Sequence, residues 1–268
     1  MKSLRPILLI ISLLLISCEE VVKVDLEQSE PRLVVEASIN WEKGTTGNNQ
    51  KIRLTTTVPF YAEETEPVTN AAVKITSEDG REFPFVHESG GYYVTNDFRP
   101  QVGTTYKLTI LYNDEVYTAS ETMVPVVDID HIEQSKTGGF GGEDYEIKAF
   151  YEDPAGESNY YLFIFRTDKS TLEVYKDEFT DGNEIFGYFS NEDLEAGDEV
   201  IIEMAGISKA YYQYLFVLRT QIGNSGGGPF ETQPATVKGN IVNETNKENF
   251  AFGYFRLSQK TNTKYTIE

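Results

Sequence analysis

The chain has 268 residues, 23 Lys and Arg against 43 Asp and Glu, a formal charge of −20, one cysteine and two histidines. One cysteine excludes an intrachain disulfide, so few His and Cys exclude a clustered zinc site, and the acidic balance argues against nucleic acid, whose phosphates need Lys and Arg. With 40% hydrophobic and 13% aromatic residues, the chain is too apolar for disorder and long enough to bury about 70–75% of its unfolded surface.

Lys2 and Arg5 precede the apolar run Ile7–Ile16. Ten residues fall well short of the roughly 20 needed to cross a bilayer, so residues 1–17 read as a signal peptide. The segment Leu15-Ile16-Ser17-Cys18 resembles the bacterial lipobox, in which the cysteine is acylated after cleavage before it. Acyl chains contribute about 0.8 kcal/mol per buried CH₂ and would anchor a soluble body without a spanning helix. Glu19 and Glu20 resemble the acidic export signal of lipoproteins carried to the cell exterior in Bacteroidota. Residues 18–31 then form a tether or add a short edge strand.

From Arg32, short runs rich in Val, Ile, Thr, Tyr and Phe alternate with Gly, Asn, Asp and Pro, the pattern of an all-β fold. Strands are expected at Arg32–Asn40, Lys51–Val58, Ala72–Ser77, Glu82–Val86, Tyr92–Thr95, Thr105–Tyr112 and Glu115–Thr122. Asp79-Gly80 and Asn113-Asp114 mark tight hairpin turns. Residues 32–124 resemble immunoglobulin-like or transthyretin-like modules, a sandwich in which Val73 and Ile75 share one face, as do Tyr106, Leu108 and Ile110. Pro125 suits a connector, so residues 125–268 are expected to form a second β-rich domain.

In that second part, Lys136–Gly142 reads as a flexible loop, and Tyr145–Tyr151, Tyr160–Thr167, Leu172–Tyr175 and Glu199–Ala205 read as strands. Tyr211, Tyr214, Leu215, Leu218 and Ile222 make one apolar stripe at helical spacing, predicting an amphipathic helix over about 208–222, capped by Ser208 and ended by Gly223. The stripe is read as packing over a sheet. Asn224–Phe230 follows as a loop, and Ala251–Leu257 and Lys264–Ile267 close the fold as strands.

The chemistry is sparse. His87 and His131 lie far apart in sequence with no nucleophile motif between them, and the Gly-rich runs lack the Gly-Lys-Ser/Thr ending that cradles phosphate, so no catalytic residue is assigned. The Asp177–Gly182 window fails the EF-hand pattern because Phe179 and Tyr188 stand at ligand positions. A loop calcium site from Asp177, Asp181, Asn183 and Glu184 and a plain hairpin turn both fit this window. The pairs Tyr92-Tyr93 and Tyr160-Tyr161 place one ring on each face of a strand, where the outer ring packs or stacks on sugar or peptide.

Several segments in order resemble one family: Cys18-Glu19-Glu20, Pro31–Ala37, Asp153–Tyr161, the helix, Pro229-Phe230, Gly239-Asn240-Ile241 and Phe252–Phe255. Together they resemble Bacteroidota lipoproteins classed as domain of unknown function 4249. The resemblance implies an outer-membrane lipoprotein facing the cell exterior beside a SusC-type, TonB-dependent β-barrel transporter. The expected role is a non-enzymatic accessory or substrate-binding subunit for a small-molecule or oligomeric nutrient, without a resident cofactor. The alternative is a structural or adhesive surface protein. Its ligand-binding residues are not legible.

Overall fold

The computed structural model describes residues 30–59, 61–62, 64–139, 141–178, 180–223 and 236–268, without the side chains of Ile222 and Gly223. Cys18, Glu19, Glu20 and the expected loop Asn224–Phe230 lie outside the described residues. Residues Pro31–Glu268 form one compact unit. The protein is mostly β, with a large sheet, a smaller sheet and one short helix, an all-β sandwich-like architecture.

The first part of the unit contains β1 (Leu33–Glu42), β2 (Gln50–Thr56), β3 (Glu66–Pro67), β4 (Ala72–Ser77), β5 (Glu82–Ser89), β6 (Tyr92–Thr95), β7 (Thr105–Tyr112) and β8 (Glu115–Thr122). Strict alternation in β1 buries Leu33, Val35, Ala37 and Ile39 and turns Glu36, Ser38 and Asn40 outward. The β4–β5 turn places Gly80 at φ 85, and the β7–β8 turn places Asn113 and Asp114 at φ 49 and 61, a torsion pair that suits the twist of a two-residue hairpin. Strand β5 turns the corner of the sandwich: Glu82–Phe85 pair with β4, while Val86–Ser89 pair with β6. Ile39, Ile52, Ile75, Phe83, Tyr93, Tyr106 and Leu108 consequently meet in one core. From beyond residue 125, Ile241, Ala251, Phe255 and Leu257 join it.

The remainder comprises β9 (His131–Gly138), β10 (Asp144–Glu152), β11 (Tyr160–Arg166), β12 (Ser170–Lys176), β13 (Glu184–Ser190), β14 (Glu199–Gly206), α1 (Lys209–Gly223), β15 (Val242–Asn243) and β16 (Phe252–Thr266). Strands β13, β10 and β9 make the small sheet, while β12, β11 and β14 extend the large one through β16. Strand β11 is apolar at successive positions because both its faces are covered. Tyr161, Phe163 and Phe165 meet Ile147, Tyr151 and Phe189 of the small sheet, and Leu162 meets Leu215 of the helix on the other side. The helix therefore uses its stripe as packing, with Tyr211, Tyr212 and Tyr214 against the same cluster.

Three expectations change. Lys136–Gly138 belong to β9, an edge strand of the small sheet, rather than to a loop. The two closing strands are one, β16, whose polar middle reads as a break because it passes between partners there. Phe252–Lys260 pair in parallel with β1, and Lys260–Thr266 pair antiparallel with β14. Strand β13 was also missed: Gly187 interrupts its apolar pattern where a Cβ would lie 2.6 Å from the Phe163 ring. Among the described residues, no helix is long and apolar enough to cross a membrane.

Candidate functional site

The alternation that fills the first core also builds a groove on the sheet's opposite side. It encloses about 950 Å³ over β1, β2, β5 and β6, with Lys260 of β16 at one margin. That volume lies within the range of small-ligand clefts. Ser38, Asn40 and Glu42 line it from β1, and Pro84, Val86 and Val94 supply an apolar strip from β5 and β6. Val86 and Val94 are register partners, and Val86 is 68% exposed, so this strip faces solvent rather than the core.

The loop 43–49 forms one wall, and its sequence explains its shape. Gly47 has φ 63, and a Cβ there would stand 2.6 Å from both Pro100 Cγ and Trp41 Cδ1, so only glycine closes the loop onto that ring. Trp41 Nε1 donates to Thr45 O at 2.9 Å, and Asn48 Nδ2 donates to Asn96 O at 2.9 Å. Gln50, 7% exposed, accepts from Asn40 N at 3.1 Å and donates to Asn40 O and Gly47 O at 2.8 and 2.9 Å. Its amide is thereby saturated and fixes the wall to β1.

Electrostatically, the groove is balanced, with Lys51 and Lys260 against Glu42 and Asp97 in its lining. Lys260 Nζ lies 2.6 Å from Glu203, which Arg166 also approaches at 3.5 Å. Lys51 and Arg53 stand over the Tyr92 ring at 5.4 and 5.6 Å, and Arg53 reaches Glu36 at 3.6 Å. The outer ring of the Tyr92-Tyr93 pair is thus covered by cations, while Tyr93 is buried. In the other pair, Tyr160 packs on Tyr212 of the helix at 5.2 Å and Tyr161 is buried.

A second constellation gathers carboxylates. Asp153, Asp177 and Asp181 bring oxygen atoms within 4.8 Å of one another. Asp153 follows β10, and Asp177 and Asp181 follow β12, so the cluster joins residues far apart in sequence. Asp153 Oδ1 accepts from Tyr161 at 2.8 Å, Asp177 Oδ2 from Asn159 N at 2.7 Å, and Asp181 Oδ1 from Gly156 N at 2.7 Å. Burial pushes the Asp153 carboxyl above its usual range, with the charges of Asp177 and Asp181 acting the same way and the Tyr161 hydroxyl opposing. Of the other two residues read from sequence, Asn183 closes the turn through its amide and gives its carbonyl to Asp153 N at 3.2 Å. Glu184 stands at the head of β13 opposite Glu152. The carboxylates are hard oxygen donors, and the backbone N–H groups of Gly156, Asn159 and Gly182 that donate to them tie the 153–159 and 177–183 turns together.

The histidines are separate. His87 lies edge-on to Tyr93 at 5.3 Å, and His131 stacks on Phe150 at 4.5 Å. At the foot of the helix, Ser208 Oγ accepts from Tyr211 N at 3.2 Å and donates to Glu121 at 3.0 Å. Burial raises the Glu121 carboxyl, which Ser208, Thr122 N and Tyr254 partly offset.

The groove itself was beyond sequence reading, because its lining comes from five strands and two loops. The hydrogen-bonded motif residues were visible as segments only. Asn240, for example, donates to Phe255 O at 2.8 Å and accepts from Phe255 N at 2.9 Å, completing a backbone pair with its side chain.

A family model described as a domain of unknown function, DUF4249, matches residues 19–264. No curated protein matches the chain. Among solved structures, the chicken interferon gamma receptor alpha chain is 11% identical, with 66% of this chain and 88% of that chain covered, at a TM-score of 0.19.

Proposed function

The chain belongs to the DUF4249 family, a domain of unknown function, and we propose that it is a non-enzymatic binding subunit held on the outer membrane by a lipid at Cys18. In this reading Glu19 and Glu20 direct it to the cell exterior, and it serves a TonB-dependent β-barrel transporter by capturing a small or oligomeric nutrient. The groove over β1, β2, β5 and β6 carries the binding role: about 950 Å³ of open space bounded by amides, hydroxyls, charges and a short apolar strip. The lipobox resemblance supports the anchor, and the acidic surface suits a soluble body that meets cationic patches on a partner.

Three experiments test this. Metabolic labelling with a radioactive fatty acid should mark the mature protein and not a Cys18→Ser variant. Affinity capture of the tagged protein from solubilised outer membranes should recover a large β-barrel, and a deletion strain should lose uptake of a nutrient. A protein recovered alone from a strain with unchanged uptake and altered attachment would replace this reading with an adhesive one, and an unlabelled protein would overturn the lipid anchor on which both readings stand.

A further inference from the structure

The ladder between β1 and β2 pairs Leu33–Glu36 with Arg53–Thr56 and stops there, although both strands continue. Beyond it the Gln50 amide stands in for a pairing residue, accepting from Asn40 N and donating to Asn40 O. The groove opens over this stretch, lined by Ser38 and Asn40 from β1 and by Gln50 and Lys51 from β2. A peptide recognised by strand addition needs free main-chain groups at an edge. At Asn40 the side chain of Gln50 has taken both of them.

The charged groups of the lining are committed and cancel. Lys260 lies 2.6 Å from Glu203, Asp97 lies 3.7 Å from Arg99, and Glu42 accepts from Asn262 at 2.8 Å. Lys51 rests against the Tyr92 ring, so the lining's two cations and two anions leave no net charge to select an ion. Its neutral groups fall into two sets. Thr45, Thr46, Asn48 and Gln50 use their hydrogen bonds within the wall. Asn49 and Asn96, both exposed, make no side-chain hydrogen bond among the described residues, nor does the Ser38 hydroxyl, and Thr95 Oγ1 only accepts, from Asp97 N at 3.5 Å. Two carboxamides and two hydroxyl donors of the lining are therefore left for a ligand. The same groove carries the aliphatic strip of Pro84, Val86 and Val94, in which Val86 is 68% exposed.

We propose that the groove takes a neutral oligosaccharide, with Asn49, Asn96, Thr95 and Ser38 meeting its hydroxyls and Pro84, Val86 and Val94 the C–H face of a sugar ring. A carboxamide presents donors and an acceptor side by side, and a hydroxyl both donates and accepts, so the two match without any charge. The C–H face of a pyranose is apolar and gains by leaving water for an aliphatic strip. Because the bonds inside the wall hold these groups before a ligand arrives, little ordering cost remains to be met on binding. The inference rests on the groove being a ligand site, and needs neither the transporter nor the lipid anchor.

Trp41 is the only tryptophan, and its indole donates to Thr45 O in the groove wall, so its emission reports occupancy. The full chain is titrated by calorimetry and by Trp41 fluorescence with maltohexaose, cellohexaose, laminarihexaose, xylohexaose and mannohexaose, and with trigalacturonate and acetyl-tetra-alanine amide. At least one neutral hexasaccharide should bind and shift the Trp41 emission, and the charged sugar and the peptide should bind about tenfold more weakly or less. Asn49→Ala combined with Asn96→Ala should weaken the sugar about tenfold or more, as should Val86→Asp. Both variants replace exposed side chains, so the midpoint of unfolding should stay at the parental value. Leu111→Asp, at an exposed apolar position of β7 outside the groove, should bind as the parent does. Equal or tighter binding of trigalacturonate or the peptide, or no response to any hexasaccharide, overturns the neutral sugar. Hexasaccharide binding at parental strength in both groove variants overturns it as well, by placing the sugar elsewhere. The groove reading fails on a different result, a Val86→Asp strain that still takes up the nutrient a deletion strain loses.

Discussion

Gly253 sits where the two parts of the large sheet are joined. It lies at φ 92 in register with Val35, and a Cβ at this position would lie 2.0 Å from Val35 O. Its own carbonyl is 1.5 Å from where a Cβ on Gly239 would fall, so the backbone is enclosed on both sides. In Gly253→Ala, holding an L-residue at that torsion costs about 1–3 kcal/mol. The methyl must also displace β1 from β16 by more than 1 Å, as an order of magnitude, which breaks or stretches two or three ladder bonds worth about 1 kcal/mol each. The expected loss is about 3–6 kcal/mol, a large part of a typical domain's stability. Gly44→Ala is the matched control, because Gly44 has φ 81 and nothing within 4 Å of its Cβ. It should lose about 1–2 kcal/mol from torsion alone. Urea denaturation of both variants reads the difference from their midpoints. Equal losses would show that the close approach of β1 and β16 contributes nothing and that the joint is looser than the geometry states.

Three further substitutions test the helix foot and the carboxylate cluster. Ser208→Ala removes the cap on Tyr211 N and a donor to Glu121, and should cost about 1–2 kcal/mol in urea titrations, with faster hydrogen exchange at the Tyr211 amide. Because burial raises the Glu121 carboxyl, its contribution to stability is full below the unfolded pKa and is lost as pH rises through the folded value. Glu121→Gln should therefore match the parent near pH 3.5 and melt higher at pH 7; a melting difference independent of pH would contradict this. Tyr161→Phe strips the hydroxyl donor from Asp153, which is 5% exposed, and should cost about 1–3 kcal/mol at pH 7 and progressively less as pH falls and the carboxyl takes up its proton. Thermal unfolding of parent and variant across an acid pH series measures that contrast.

The strands of the first part were readable because each has one wet face and one dry face. Val73 and Ile75 share a core with Leu108 and Ile110, as alternation requires. The two hairpins were readable because their turn residues accept positive φ. Strand β9 was not, since an edge strand with the sequence His131–Gly138 has too few apolar residues to mark a buried face. The helix and its Ser208 cap followed from spacing alone, whereas its position depends on β11 having two buried faces.

Sites obey a different logic. The sequence window at Asp177 offered two of the three clustered carboxylates, and Asp153 is absent from it because strands and turns, not local spacing, bring the third. Arg256 is the sharper case. A basic residue between Phe255 and Leu257 reads as the solvent side of an alternating strand, and the alternation is indeed obeyed, since those neighbours face the core. What alternation cannot express is that the opposite face is covered as well. The Tyr211 ring of the helix lies over it, so a position patterned for water is nearly dry. Arg256 is buried by tertiary packing, with the Tyr211 ring of the helix 5.4 Å from its guanidinium carbon, and a contact made by so distant a segment is invisible to a pattern read along one strand.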